Sequence, residues 1–268
     1  PRTPHTPHTW QKNRLPCGTP LTRLPRSFPP CNPLSLAPTR RMMASALDAT
    51  ADTFGKGYAP GQEGGDKLFS GPASRNCEPI IDVLKTIMPS ESGKVLAIAE
   101  GSGQHVSAFA KAFPHMTFQP TEIEPAALKS QQAYVDEVGV NNVLAPTTFD
   151  CMAPVWDVVE AGGGKYSLVY TVNLTHISPF EATLGLFAAA KRLLQAGGLV
   201  VIYGPFKVNG GFTSEGNEQF DQTLRSRNEK FGYRDITEIE KAAQGVGMTM
   251  EKVVDMPANN HMLILKMS

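Results

Sequence analysis

Residues 94–113 read KVLAIAEGSGQHVSAFAKAF, and this stretch decides the fold. The segment at 94–99 is apolar without alternation, which predicts a strand that is covered on both faces. The turn EGSGQ follows directly, and residues 105–113 have the apolar period of a helix. A buried strand that leads through a glycine turn into a helix is typical of open α/β sheets, in which ligands bind at the carboxyl ends of the strands.

Helical and β-rich segments alternate along the chain on both sides of this stretch. The predicted helices cover residues 78–87, 105–113, 125–138, 179–194, 217–227 and 236–245. The predicted strands cover residues 94–99, 117–120, 143–149, 167–172, 199–203, 250–256 and 262–267. The short link between the last two strands predicts an antiparallel hairpin. We therefore predict an α/β fold with a mostly parallel seven-stranded sheet, laid out like the Rossmann-like class I methyltransferases.

The first 69 residues differ in composition from the rest of the chain. Residues 1–41 hold ten prolines and seven Lys or Arg residues, with no acidic residue and no apolar period. Such a segment cannot bury enough surface to fold, so we predict disorder there, followed by a flexible Gly/Ala-rich piece up to residue 69. Two interpretations are open: an organelle transit peptide, or sequence upstream of a start at Met42 or Met43. The folded domain is expected to span residues 70–268.

Composition excludes several classes of protein. Apolar runs such as that at 199–203 are far shorter than the ~20 residues of a membrane helix. Four widely spaced cysteines do not make a disulfide framework, so a cytoplasmic location is expected unless the N-terminal segment directs the chain to an organelle. Beyond residue 41 there are 18 basic against 25 acidic residues, which disfavours nucleic acid. The expected partner is a small molecule, and the oligomeric state is left open.

Polar residues follow the first three predicted strands in an order that suits an adenosine-containing ligand. The expected binding residues are Glu100, Gly101, Ser102, Gly103, Glu122 and Asp150. Glu122 stands where an acid accepts hydrogen bonds from ribose hydroxyls, and Asp150 where it accepts one from an adenine amino group. The third glycine of a dinucleotide motif is replaced by Val106. This makes NAD a less suitable ligand and favours S-adenosylmethionine, which has no phosphate. No metal site is predicted.

Several motifs resemble one known family. They are VLAIAEGSGQH at 95–105, NLTHISP at 173–179, YGPF at 203–206 and VDMPANN at 254–260, with RNCEPI at 75–80 and FDQTLRSRN at 220–228. Together they resemble the class I methyltransferase-like proteins typified by methyltransferase-like protein 26, over residues 70–268. The resemblance implies the fold and an S-adenosylmethionine site, but no defined substrate. The family usually has an acid at the position of Ala97 and a small residue at that of Glu100, so here the acid has moved by three places.

Candidate residues for the transfer step lie at the ends of the fourth and fifth strands. His176, Asn173 and Tyr203 are the expected catalytic residues, although His176 could equally cap a helix or fill a polar gap. The expected substrate-binding residues are Arg75, Asn76, His105, Phe206, Asn259 and Asn260. Two alternatives to a methyltransferase stay open: a non-catalytic binding protein that keeps the fold, and an NAD-dependent oxidoreductase.

Overall fold

The computed structural model describes residues 59–60, 65–153 and 165–268 of the chain. The strands are β1 (Ala59–Pro60), β2 (Leu68–Phe69), β3 (Gly93–Ala97), β4 (Met116–Glu122), β5 (Thr147–Thr148), β6 (Tyr166–Val172), β7 (Leu194–Gly204), β8 (Met248–Met256) and β9 (Asn260–Met267). The α-helices are α1 (Gly71–Leu84), α2 (Gln104–Ala112), α3 (Pro125–Val138), α4 (Phe180–Leu193), α5 (Glu215–Arg227) and α6 (Ile236–Gln244).

Seven of the strands form one sheet in the order β5-β4-β3-β6-β7-β9-β8. The first five strands of that order are parallel, whereas β9 runs antiparallel to β7 and β8 antiparallel to β9. The predicted α/β architecture, with its C-terminal antiparallel hairpin, is therefore confirmed. Since β3 and β6 are neighbours, the glycine turn after β3 and the segment after β6 meet at the same edge of the sheet.

Both faces of the sheet are buried, which explains the apolar runs without alternation. In β3, Val95 and Ala97 point into one core, and Leu96 and Ile98 into the other. Helices α1 and α2 cover the first core, and α4 and α6 cover the second. At about 25 cal/mol per Å² of apolar surface, burial on two faces gives these central strands a large stabilising contribution.

Three local predictions differ from the structure. Strand β7 begins directly at Leu194 and includes Gly197 and Gly198, whereas the predicted strand begins only at residue 199. The strand predicted at 143–149 is reduced to Thr147–Thr148, since Pro146 interrupts the pairing. Ordered structure also precedes residue 70: β1 pairs with β2, and the Leu68 N–H donates to Ser130 Oγ at 2.8 Å. The disorder predicted for residues 1–41 concerns residues outside the described ranges, as does most of the flexible piece predicted up to residue 69, of which 42–58 and 61–64 are not described.

Helix α5 is an addition between β7 and α6, and it packs on a small cluster of its own. Leu224, Phe231 and Tyr233 are buried together, against Ile177 of the segment after β6. The helix therefore lies over the carboxyl edge of the sheet. Within the described ranges, none of the helices is long and apolar enough to cross a membrane.

Candidate functional site

The turn between β3 and α2 is shaped by residues in the left-handed region of backbone space. Ala99, Gly101 and Gly103 have φ values of 55°, 75° and 97°. A Cβ atom at Gly103 would lie 2.6 Å from the Cα of Gln131, so the turn and helix α3 approach each other as closely as a glycine allows. The glycine at this position is thus explained by packing as well as by conformation.

Helix α3 holds the turn through two side-chain hydrogen bonds. Gln131 Nε2 donates to the Gly101 carbonyl at 3.0 Å, and Ser130 Oγ donates to the Ser102 carbonyl at 2.6 Å. Ser102 turns its own hydroxyl toward Gln104, to which it donates at 3.0 Å. The backbone of the turn is therefore fixed before any ligand arrives, which lowers the entropic cost of binding.

Glu122, at the end of β4, lies beside this turn. Its carboxylate accepts the Gly101 N–H at 3.0 Å on one oxygen and the Ile123 N–H at 2.8 Å on the other. The side chain is buried, and burial raises the pKa of the carboxyl to about 7, against the lowering effect of these N–H groups. The Glu124 N–H also interacts with this carboxyl, so of its about four lone-pair sites at least one stays open to a ligand hydroxyl.

The carboxyl of Glu100 makes contacts inside the protein, so its expected contact with the cofactor stays a prediction. Its Oε1 accepts the Val106 N–H at 2.6 Å, and its Oε2 accepts the Tyr170 hydroxyl at 2.6 Å. The reason is the left-handed conformation of Ala99, which begins the turn one residue before Glu100. Burial raises the pKa of this carboxyl to about 8. Glu100 thus anchors the start of α2 from the protein interior.

Asp150 lies beyond β5, next to Glu122 at the edge of the sheet. The Phe149 N–H donates to the Glu122 carbonyl at 3.1 Å, which extends the contact between the two strand ends by one residue. Asp150 is half-buried, and its Oδ1 accepts the Met152 N–H at 2.8 Å. The acids expected to contact the ribose and the adenine thus follow neighbouring strands.

A cavity of about 540 Å³ opens beside the end of β6. Its walls are α1, α5 and the segment that joins β8 to β9, and its floor is formed by the ends of β6 and β7. The lining residues that the sequence had already singled out are Arg75, Asn76, Asn173, His176, Tyr203 and Asn260. The volume is in the range of small-molecule sites, which hold ~300–1,000 Å³.

Asn173 and His176 present polar atoms to this cavity next to Gly204. A Cβ atom at Gly204 would lie at ordinary contact distance, 3.5 Å from His176 Nδ1 and 3.7 Å from Asn173 Oδ1, so both polar atoms lie directly beside this glycine. Asn173 has a φ of 62°, a conformation that a short polar side chain tolerates and that is common at functional sites. His176 is buried, yet its Nδ1 has no hydrogen-bond partner in the described structure.

His176 is held as a neutral imidazole. Burial lowers its pKa to about 3, and the positive charge of Arg234 adds to this effect. Arg234 also fixes the segment that carries His176, because its guanidinium donates to the Thr175 carbonyl at 3.2 Å and to the Ser178 carbonyl at 2.9 Å. The histidine is therefore a hydrogen-bonding group at neutral pH, and a weak base.

A second polar chain runs from α2 to β7. His105 Nε2 lies 2.8 Å from Asn76 Oδ1, and the Asn76 amide also donates to the Tyr203 hydroxyl. Burial lowers the pKa of His105 to about 4, so the neutral ring donates from Nε2. Asn76 and Tyr203 line the cavity, whereas His105 lies behind Asn76 and acts through it.

Two expected substrate-binding residues lie elsewhere. Phe206 is fully buried in the core under α4 and α6, where its ring packs near His261, because the chain has already turned inward after Pro205. Asn259 is exposed in the link between β8 and β9, and only its backbone contributes: its carbonyl accepts from Asn217 Nδ2 at 3.3 Å. Both assignments are corrected.

Phe220, Arg227 and Tyr233 also line the cavity and are not among the expected site residues, although the motif at 220–228 contains the first two. Phe220, Leu224 and Arg227 share one face of α5, and a spacing of four and three residues could have indicated that face. No signal in the sequence tells which element this face covers. Tyr233 follows α5, and its ring packs near both Phe220 and His176.

These residues fit S-adenosylmethionine at the edge of the sheet. Glu122 retains acceptor capacity for a ligand hydroxyl, and Gly101 and Gly103 keep side chains out of the turn. His176 Nδ1 is a buried polar atom without a partner beside the adjoining cavity. Across the described ranges, no cluster of three or more His, Cys, Asp or Glu side chains is arranged to hold a metal ion.

The sheet order, the glycine turn and the acid after the second parallel strand define a methyltransferase-like fold of class I, and solved structures share it. The O-methyltransferase family protein from Burkholderia thailandensis has a TM-score of 0.61 at 16% identity, over 72% of this chain and 57% of its own. The O-methyltransferase family 2 protein from Planctomyces limnophilus, solved with apigenin, has a TM-score of 0.61 at 16% identity; the match covers 87% of this chain and 63% of that protein. CalO1, a methyltransferase in calicheamicin biosynthesis solved in its SAH-bound form, has a TM-score of 0.59 at 12% identity; the match covers 74% of this chain and 56% of that protein. The chain spans about three fifths of the length of these proteins.

The family of this chain is identified from its sequence rather than from structural similarity. Residues 67–267 match the family described as Protein of unknown function (DUF938), and the chain belongs to this family. The match covers the whole seven-stranded sheet together with helix α5.

Proposed function

We propose that the protein is an S-adenosylmethionine-dependent methyltransferase that acts on a small-molecule acceptor. The observation that carries the proposal is the buried Glu122 carboxylate, which accepts the Gly101 N–H at the carboxyl edge of the sheet and keeps acceptor capacity for a ribose hydroxyl. We also infer kinship with the family typified by methyltransferase-like protein 26, on the motifs around residues 95–105 and 173–179.

The donor half of the site consists of the glycine turn and two acids. Glu122 would hold the ribose, Asp150 the adenine, and the backbone of residues 101–103 would border the donor. When bound, S-adenosylmethionine supplies an electrophilic methyl group, which passes to the nucleophile of the acceptor as the sulfonium becomes a neutral thioether. Glu100 keeps the turn in place through Val106 and Tyr170.

The acceptor half is the cavity beside it. Asn173 and His176 would hold the reacting end of the acceptor by hydrogen bonds, and Tyr203, positioned by Asn76, would border it. Because the pKa of His176 is lowered to about 3, the chain contributes positioning more than proton removal. A nucleophile that arrives without a proton, or that loses it to solvent, suits this site.

One contact speaks against a dinucleotide cofactor. A pyrophosphate at this turn would use free N–H groups at the start of α2. The Val106 N–H in that first turn is already bonded to the Glu100 carboxyl. An NAD-dependent oxidoreductase is therefore less well supported than a methyltransferase.

A second candidate function is a ligand-binding protein without transferase activity. The observation in its favour is that Ala97 has replaced the family's acid while Glu100 is committed to internal contacts. This candidate predicts binding of S-adenosylmethionine without turnover on any acceptor.

Isothermal titration of the full chain with S-adenosylmethionine, S-adenosylhomocysteine and NAD tests the donor half. We expect both sulfur ligands to bind more tightly than NAD, and Glu122→Gln to weaken them about tenfold, as for one charge-assisted hydrogen bond. Glu91→Gln removes an exposed carboxylate from the turn before β3 and is the matched control. Tightest binding of NAD, or equal effects of the two substitutions, would contradict the proposal.

A further inference from the structure

The walls of the cavity carry charge of one sign. Among the lining residues, only Arg75 of α1 and Arg227 of α5 have a formal charge, and both side chains are exposed. In the described part of the chain, no ion pair joins either guanidinium to a carboxylate. The two cations therefore reach the cavity from two different helices, and neither forms an ion pair there.

The acids nearest in sequence are directed elsewhere. Asp221 of α5 accepts the Tyr233 N–H at 2.6 Å and pairs with Arg225 at 2.8 Å, so its charge is used within the helix and the loop after it. Glu78 of α1 and Glu229, two residues after Arg227, are exposed and lie outside the lining. In a chain with an acidic excess beyond residue 41, an unneutralised arginine pair is a local anion-binding feature. The guanidinium fork matches carboxylate and phosphate geometry.

The wall next to these arginines is aromatic. The rings of His176, Phe220 and Tyr233 form a triangle, with centroids 6.2 Å apart for His176 and Phe220, 6.2 Å for Phe220 and Tyr233, and 5.9 Å for His176 and Tyr233. Phe220 remains 42% exposed in this wall. A flat ring that packs on the triangle would cover this apolar surface and gain edge-to-face contacts.

We propose that the acceptor is a flat aromatic acid, with its ring against Phe220 and Tyr233 and its carboxylate or phosphate paired with Arg75 and Arg227. This inference rests on the proposed function, since it takes the cavity as the acceptor site. His176 Nδ1, buried and without a partner, and Asn173 Oδ1 offer the polar contacts at the buried end of the cavity. The acid group of the acceptor thus binds at the exposed end of the cavity, and the nucleophile is a separate group at the buried end.

Titration of the full chain with three matched probes tests the inference: 2-naphthoate, 2-naphthyl phosphate and the uncharged 2-naphthamide. We expect at least one of the anions to bind about tenfold more tightly than the amide, and the tighter anion identifies the acid group. In the double variant Arg75→Gln, Arg227→Gln this preference disappears, whereas the control Lys111→Gln, an exposed charge on α2, keeps it. Phe220→Ala weakens all three probes to a similar extent.

Equal affinities of the anions and the amide, a preference that survives in the double variant, or no binding of any probe would overturn the inference. A parallel titration with S-adenosylhomocysteine separates this result from failure of the proposed function. If S-adenosylhomocysteine binds but the three probes bind equally well, only the inference that the acceptor is an aromatic acid is wrong. If the probes bind with different affinities but S-adenosylhomocysteine does not bind, the proposed methyltransferase function is wrong. The cavity is then not an acceptor site.

Discussion

Tyr170 of β6 donates its hydroxyl hydrogen bond to Oε2 of Glu100 at 2.6 Å. The same carboxyl accepts the Val106 N–H on its other oxygen, so one buried side chain joins the middle of the sheet to the first turn of α2. The acid that the family resemblance placed at position 97 is thus not simply lost. Glu100 holds the glycine turn from the interior, while Glu122 faces the turn from the neighbouring strand.

The first prediction concerns the stability that this contact provides. Glu100→Ala leaves the Tyr170 hydroxyl and the Val106 N–H buried without a partner, which should lower the free energy of unfolding by about 3 kcal/mol. Urea unfolding measures the change. The exposed control Glu91→Ala should stay within about 0.5 kcal/mol of the parent chain. Equal losses in the two variants would mean that the Glu100 carboxyl does not hold the turn.

The second prediction concerns pH. Burial raises the pKa of Glu100 from 4.5 to about 8 and that of Glu122 to about 7, so the native state binds more protons than the unfolded state above pH 6.5. Stability then falls as pH rises through the native pKa values. The buried histidines have lowered pKa values and are neutral in the native state in this range; in the unfolded state they are neutral only above about pH 7.5, and below it they act in the opposite direction. Glu100→Gln should make the fall between about pH 6.5 and 9 smaller, and an unchanged slope in urea unfolding would contradict this.

The third prediction separates packing from conformation at the glycine turn. Gly103→Ala would bring a Cβ atom to 2.6 Å from the Gln131 backbone at a φ of 97°, and should cost about 3 kcal/mol. Gly139→Ala, at the end of α3, has a φ of 67° with nothing within 4 Å, and should cost about 1 kcal/mol. Thermal or urea unfolding of both variants gives the difference. Equal costs would show that α3 yields to the added methyl group.

The fourth prediction concerns the protonation of His176. Arg234→Gln removes a nearby positive charge and two hydrogen bonds to the segment that carries the histidine. The pKa of His176 should rise from about 3 but remain below 6.5, because burial is the larger cause of its lowering. An NMR titration of the imidazole measures the shift, with the exposed Lys191→Gln as control. An unchanged pKa in Arg234→Gln would mean that this charge does not act on the ring.

Much of the fold was predictable because burial on both faces leaves a mark in the sequence. The apolar runs at 94–99 and 167–172 and the helix period of 125–138 are local signals, and the observed elements agree with them. The start of β7 was missed, since a pair of glycines after a helix usually ends it, whereas here strand pairing with β6 carries the chain through them.

The site was predictable to the extent that strand ends determine it. Asn173 and Tyr203 follow neighbouring parallel strands, so their meeting at one edge follows from topology alone. The direction of the Glu100 side chain does not follow from topology, because it depends on Ala99, which has a backbone conformation that favours glycine. That Phe220 and Tyr233 line the cavity did not follow from the sequence either, because tertiary packing decides which face of α5, and of the loop after it, lies over the sheet.

Methyl transfer from labelled donor tests the central claim most directly. The full chain is incubated with S-adenosylmethionine that carries a deuterated methyl group and with a small-molecule extract, and the products are analysed by mass spectrometry. We expect at least one labelled small molecule that forms with the parent chain and with Glu91→Gln, and whose formation is strongly reduced by Glu122→Ala. Labelled products that form equally in Glu122→Ala, or none with the parent chain across extracts that contain aromatic acids, would contradict the account.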